Sequence, residues 1–296
     1  MSTVDALPEA PTTSASHPGW LGEVVHDIVH RPVMLVGLGV WVAFVIMAIG
    51  GQHLAPYAID AQDIAHRLQG PSHAHLLGTD ELGRDLLSRL MVGTRYALAV
   101  AIPAVAIALV VGVTVGMLAG FFGGVVDRVV VTLLDSVQAF PAVILALTLL
   151  ALVGHSLRNE TLVISVAFIP SYARVTRALV MAAKNNQWVD AERSLGARPL
   201  RIVVVHILPN IAASLFVLMA MDIPSAITIS AGLDFLGLGL QPPTPSWGGI
   251  LSSGFYYVEQ SPWPVIWASV FLVIATLGFT LLAEGLRDVI DPRLSR

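Results

Sequence analysis

The sequence predicts an all-α integral membrane protein with six transmembrane helices. Of its 296 residues, 55% are hydrophobic and only 12% are charged, where a soluble domain carries roughly a quarter charged residues. The mean hydropathy is +0.77, and six apolar stretches approach the ~20 residues a helix needs to cross a bilayer. A formal net charge of −4 supplies no basic field for DNA or RNA. The absence of cysteine excludes disulfide scaffolds, thiolate metal sites and thiol nucleophiles.

Residues 1–20 are rich in Pro, Ser, Thr and Ala without hydrophobic period, and predict a disordered tail. Residues 21–32 predict an interfacial amphipathic segment. His26 and His30 flank Asp27 at the spacing of a zinc-protease motif, but no third ligand is evident and the helix would stop at Arg31-Pro32, so the expectation is no metal. The apolar runs cover residues 33–50, 96–122, 129–154, 162–183, 211–233 and 264–282. The first follows acidic residues rather than a basic n-region, so it is expected to be retained as a span rather than cleaved as a signal peptide. In the second, Gly112, Gly116 and Gly120 recur every fourth residue and predict a groove for close helix packing. The third carries Asp135 and Pro141, the fourth Pro170 and Arg174, and the fifth Asp222 and Pro224, so these helices are expected to be kinked and packed among neighbours.

With the N-terminus inside, Arg31, Arg128, Arg174, Arg177, Lys184, Arg193, Arg198, Arg201, Arg287, Arg293 and Arg296 fall on the cytoplasmic side. Only Arg67, Arg84, Arg89, Arg95 and Arg158, the remainder of the 16 basic residues, fall outside. That bias predicts cytoplasmic N- and C-termini.

Two connections exceed the 2 to 8 residues typical of helix–helix links. One is the external loop 51–95. The other, 184–210, reads as a short helix from Asn185 ended by Gly196, with acids first and arginines later in agreement with its dipole. A second apolar stretch then stops at Pro209, so the segment is expected to lie on the cytoplasmic surface as a docking element for another protein. Asp135 and Asp222, with Asp234 near the outer boundary, are candidates for a polar translocation path; the alternative is a buried hydrogen bond or a pair with Arg174 or Arg177. The single lysine, Lys184, is followed by Asn185, so no P-loop exists, and no Gly-x-Ser-x-Gly elbow occurs. The chain is expected to be non-catalytic and to hold no cofactor or metal of its own.

Asp190-Ala191-Glu192, three residues, Gly196, nine residues and His206-Ile207-Leu208-Pro209 resemble the EAA loop of ABC importer permeases, whose pattern is Glu-Ala-Ala-x3-Gly-x9-Ile-x-Leu-Pro. Glu192 stands where that pattern has Ala, and His206 where it has Ile. More specifically, the chain resembles the C-type membrane subunit of dipeptide and oligopeptide permeases, a family that includes nickel and glutathione importers. The resemblance runs through His75 to Arg89, Asp135 six residues before Pro141, Phe235 to Gly239, Gln241 to Gly248, Leu286-Arg287-Asp288 and Asp291-Pro292-Arg293. Ser230 stands where the family often has Glu.

The resemblance implies a type I ABC importer bundle in a bacterial plasma (inner) membrane, with a permease core over 96–296, a cytoplasmic EAA coupling loop over 184–210 and an external loop over 236–262. It implies coupling to ATPase subunits through Asp190, Ala191, Glu192, Leu195, Gly196, Leu208 and Pro209, with ATP bound by those partners. A homologous B-type permease subunit would complete the path, and an extracytoplasmic substrate-binding lipoprotein would dock on the outer loops, with Thr79, Asp80, Arg84, Asp85 and Trp247 as candidate contacts. The implied cargo is a peptide, with nickel, glutathione or haem open. The alternative from another class is an ion-coupled secondary transporter or channel using Asp135 and Asp222.

Overall fold

The computed structural model describes residues 32–290, which form helices and connecting loops with no strand among them. The disordered tail, the interfacial segment with His26 and His30, and the Asp291-Pro292-Arg293 motif lie outside the described residues. Helix α1 spans Pro32–Leu54, α2 Leu86–Phe122, α3 Gly124–Gln138, α4 Ala142–Val153 and α5 Leu157–Ala183. Then follow α6 over Gln187–Ser194, α7 over Pro199–Phe235, α8 over Trp247–Tyr256 and α9 over Trp263–Ile290. Five of these, α1, α2, α5, α7 and α9, are each long and apolar enough to cross a membrane, and α3 with α4 forms a sixth, bent pair.

The third span is the main departure from expectation. It is broken rather than kinked: α3 and α4 meet at 86° across residues 139–141. Pro141 has no N–H to continue the ladder, and its ring disfavours helical geometry at Phe140. Pro103, Pro170 and Pro224 sit inside α2, α5 and α7, which run through them. In α7 the backbone widens into a π-helical turn over Ile202–Ile207, where Leu208 N–H reaches Val203 O. Pro209 has no N–H to offer the preceding turn, and a π-turn just before it lets the chain absorb the missing bond.

Helices α2 and α5 make the most extensive contact of the bundle. The reason is the glycine stripe: a Cβ on Gly112 would fall 2.4 Å from Tyr172 Cβ, and one on Gly116 2.4 Å from Ala173 O. One on Gly120 would fall 2.8 Å from Arg177 O. Bare backbone on α2 therefore lets α5 approach along a little over two turns. Helix α9 packs on α1 and α7, and α1 on α2. The larger core cluster gathers Phe44, Leu86, Leu90, Tyr172, Ile227 and Trp247 from these helices, and a smaller one joins the end of α5 to α6 and the start of α7.

Helix α8 is too short to span and is pinned by Trp247, whose indole Nε1 donates to Leu90 O at 3.0 Å. Its ring meets Phe44 edge-on at 5.6 Å and Phe271 at 6.2 Å, so α1, α2, α8 and α9 share one aromatic knot.

Candidate functional site

The loop between α5 and α7 is built as a small lever. Helix α6 buries Val189 completely, against Val180, Ile202, Ile207 and Ile211. Its C-terminus closes in a Schellman turn. Gly196 takes φ +80°, its N–H donates to Arg193 O at 3.0 Å, and Ala197 N–H donates to Glu192 O at 3.1 Å. The stop at Gly196 is thus where the sequence places it. Asp190 is exposed and accepts from Arg193 Nη1 at 3.1 Å.

On the outer side of this lever Leu195 is 83% and Leu200 71% exposed, an unusual display for large apolar side chains outside the spans. Leu195 lines a groove of about 560 Å³ together with Glu192, Gly196, Ala197, Arg198, Arg201 and His206. Ala191 is also exposed, whereas Leu208 packs into the smaller core cluster. Pro209 is exposed and follows the π-turn. The loop therefore combines a buried anchor with an apolar, basic-rimmed outer face, the form of a surface that receives another protein.

The five side chains expected to dock a binding protein are buried, and that expectation is corrected. Thr79 is 0%, Asp80 2%, Arg84 7%, Asp85 3% and Trp247 2% exposed. They hold the external loop to the bundle instead. Asp80 Oδ1 accepts from Leu82 N–H and Arg84 N–H at 2.9 Å each, its Oδ2 accepts from Arg84 Nε at 2.6 Å, and Arg89 Nε lies 3.4 Å away. Asp85 caps α2 by accepting from Ser88 N–H and Oγ, and its other oxygen lies 2.9 Å from His75 Nδ1. Thr79 Oγ1 donates to His66 O at 2.6 Å. Gly83, at φ +74°, is required because a Cβ there would strike Asp63 O at 1.8 Å. Charged residues in an outer loop carry no mark of depth, so only the folded chain distinguishes this network from a docking face.

Asp80→Asn is accordingly expected to act on stability rather than docking. It removes the charge that faces two buried guanidinium groups, at a cost of about 1.5–3 kcal/mol. The midpoint of thermal unfolding in detergent should fall, while binding-protein affinity of the folded fraction stays at the wild-type value.

The three carboxylates proposed for a path have different fates. Asp135 pairs with Arg174 Nη2 at 2.8 Å between α3 and α5, both side chains being more than half exposed. Asp222 on α7 lies near Tyr172 of α5, and its Oδ2 is buried without a hydrogen bond, as is the tyrosine hydroxyl. Asp234, 7% exposed, is committed to the turn after α7, where Oδ1 accepts from Leu240 N–H at 2.7 Å. Arg177 pairs with Asp127 instead of either carboxylate, through Nε and through Nη2 at 2.7 Å.

One acid was missed. Glu160, 1% exposed on α5, accepts a hydrogen bond from Ser230 Oγ on α7. Its neighbourhood was hidden because the apolar run starts at residue 162, which leaves Glu160 in the preceding loop, whereas the helix begins at Leu157. The signal available was Ser156, which caps α5 by accepting from Asn159 N–H at 3.1 Å. No group of three or more His, Asp or Glu able to hold a metal occurs among the described residues.

Comparison with known proteins follows the same lines. Residues 112–296 match the family described as "Binding-protein-dependent transport system inner membrane component", and residues 20–71 match "N-terminal TM domain of oligopeptide transport permease C". The chain is 38% identical to the di/tripeptide transport system permease protein DppC of Pseudomonas aeruginosa, over 98% of this chain and 99% of that one. It is 34% identical to the dipeptide transport system permease protein DppC of Alkalihalophilus pseudofirmus, over 92% and 90% of the two chains. It is 37% identical to the glutathione transport system permease protein GsiD of Pectobacterium atrosepticum, over 89% and 88%. A chain of the MetNI methionine ABC transporter, in an inward-facing conformation, shares the fold with a TM-score of 0.54 at 20% identity, covering 68% of this chain and 96% of that one. The ion-coupled carrier finds no support here: Asp135 is matched by Arg174, and the relatives are permease subunits.

Proposed function

The chain belongs to the family of binding-protein-dependent transport system inner membrane components, and from that premise we propose that it is the C-type permease subunit of an ATP-driven peptide importer. It pairs with a homologous B-type permease subunit around the substrate path. An extracytoplasmic lipoprotein delivers a di- or oligopeptide to the outer face, which the loops 51–95 and 236–262 form, and ATPase subunits dock on the inner one. ATP is bound and hydrolysed on those partners, and this chain holds no cofactor. Both termini are cytoplasmic.

The observation that carries this reading is the α6 lever, with Val189 fully buried under it and Leu195 and Leu200 displayed above it. A short helix anchored on the end of a bundle and tied by tight turns to the spans on either side transmits a partner's closure as rigid-body rocking. We assign ATPase contact to Asp190, Ala191, Glu192, Leu195 and Gly196, a reading supported by the exposure of all but the half-buried Glu192, and assign to Leu208 and Pro209 the joining of the lever to α7. Asp135, Asp222 and Asp234 remain the side chains proposed to border the path once the second permease subunit is present.

The test is uptake of a labelled dipeptide by proteoliposomes holding both permease subunits and the ATPases, with binding protein and ATP. Uptake that requires ATP, both permease subunits and the binding protein is expected. Uptake by this chain alone, driven by an ion gradient, would overturn the proposal.

A further inference from the structure

Besides the conservative Asp190 for Glu, the α6–α7 loop departs from the EAA pattern at two positions, Glu192 and His206, and the fold brings these two together. His206 lies in the π-turn at the base of α7, and its Nε2 sits 3.5 Å from Glu192 Oε2 on α6. Both side chains are mostly buried, 27% and 29% exposed. His206 Nε2 is shut away from solvent and makes no hydrogen bond, so the Glu192 carboxylate is the polar group it faces. Glu192 follows Val189 by three residues and therefore shares the face of α6 that looks onto α7. Val189 supplies an apolar foot on that face, which is non-directional; the Glu192–His206 contact adds a second point and thereby an orientation. The neighbouring cations, Arg193, Arg198 and Arg201, are exposed.

We propose that Glu192 and His206 are a paired positioning device, a polar strap that locks the α6 lever to the base of α7 so that ATPase closure is delivered to the span without slip. This rests on the loop being the coupling element. Polar groups replace the Ala and Ile of the pattern at both ends of one contact, as a strap requires and as an isolated surface change does not. The energetics are asymmetric: either single change removes the attraction between the two groups, and Glu192→Ala also takes from the buried His206 Nε2 the carboxylate it faces, whereas replacing both by apolar groups that pack is nearly neutral.

That asymmetry defines the test. ATP hydrolysed per dipeptide imported is measured in the reconstituted transporter for Glu192→Ala, His206→Ile and the double variant. Each single change is expected to raise the ratio by about threefold or more, and the double variant to return within about twofold of wild type. Singles at the wild-type ratio, or a double variant no better than the worse single, overturn the strap.

The cysteine-free chain permits a second arm. Glu192→Cys with His206→Cys, bridged by a short bifunctional thiol reagent, supplies the tether covalently and does not depend on the polar contact. Import that survives bridging supports a strap closed throughout the cycle. Import that stops on bridging and resumes on reduction overturns it. Gly196→Pro in the same preparation separates the two levels: normal import there defeats the coupling reading itself, whereas its loss alongside wild-type ratios in the single variants defeats the strap alone.

Discussion

Gly196→Pro is expected to abolish ATP-driven uptake while leaving membrane insertion of the chain intact. Gly196 holds φ +80° and donates its N–H to Arg193 O at 3.0 Å. Proline fixes φ near about −65° and has no N–H to give, so both bonds of the Schellman turn are lost and α6 no longer leads into α7 at its present angle. Crowding is not involved, because a Cβ at Gly196 would meet nothing within 4 Å. Gly196→Asn is therefore the informative partner, since asparagine tolerates the left-handed region better than other side chains. Uptake should fall below about a tenth of wild type in the proline variant, the loss expected of a break worth ~3 kcal/mol in the lever. The asparagine variant should keep about half or more, at a cost under ~1 kcal/mol. Both should reach the membrane in wild-type amount, because the spans on either side hold their own apolar faces. Wild-type uptake by Gly196→Pro would remove the loop from the coupling step.

What could be read before folding divides along a physical line. The Gly112, Gly116 and Gly120 stripe and the Gly196 stop depend on local periodicity and on backbone conformation, and both stand in the structure where the sequence places them. Pro141 signals an interruption, but its extent depends on whether neighbouring helices hold the two halves in line. They do so at Pro170 and Pro224 and not here. The partners of charged side chains were the least legible. Asp80 with Arg84 looks like an exposed acid–base pair until the loop 55–85 folds down, and Glu160 meets Ser230 only after α5 and α7 pack, 70 residues apart in sequence. Sequence spacing reports which residues share a face. Which charges are buried follows from closure of the whole bundle, and this is why Asp80 moves from a docking role to a structural one.

The same reasoning makes Gly116→Leu the most damaging single change in the bundle. Its Cβ position is 2.4 Å from Ala173 O and 2.8 Å from Thr176 Cβ, both on α5. Neither can yield: one is backbone, and the other is the stiff root of a buried β-branched side chain, Thr176 being 0% exposed. Helices α2 and α5 would have to separate along the most extensive contact of the fold. Separation would also carry Tyr172 away from Gly112 and Val180 away from Gly120. Overpacking against unyielding backbone reaches the upper end of the usual range, about 3 kcal/mol, a large fraction of the stability of a marginally stable protein. Gly39→Leu on α1 is the matched control, since a Cβ there meets nothing within 4 Å. In detergent, the Gly116 variant is expected to lose its cooperative thermal transition and to be cut rapidly by protease, whereas the Gly39 variant unfolds at the wild-type temperature. Equal stability of the two would mean that the α2–α5 seam does not hold the bundle together.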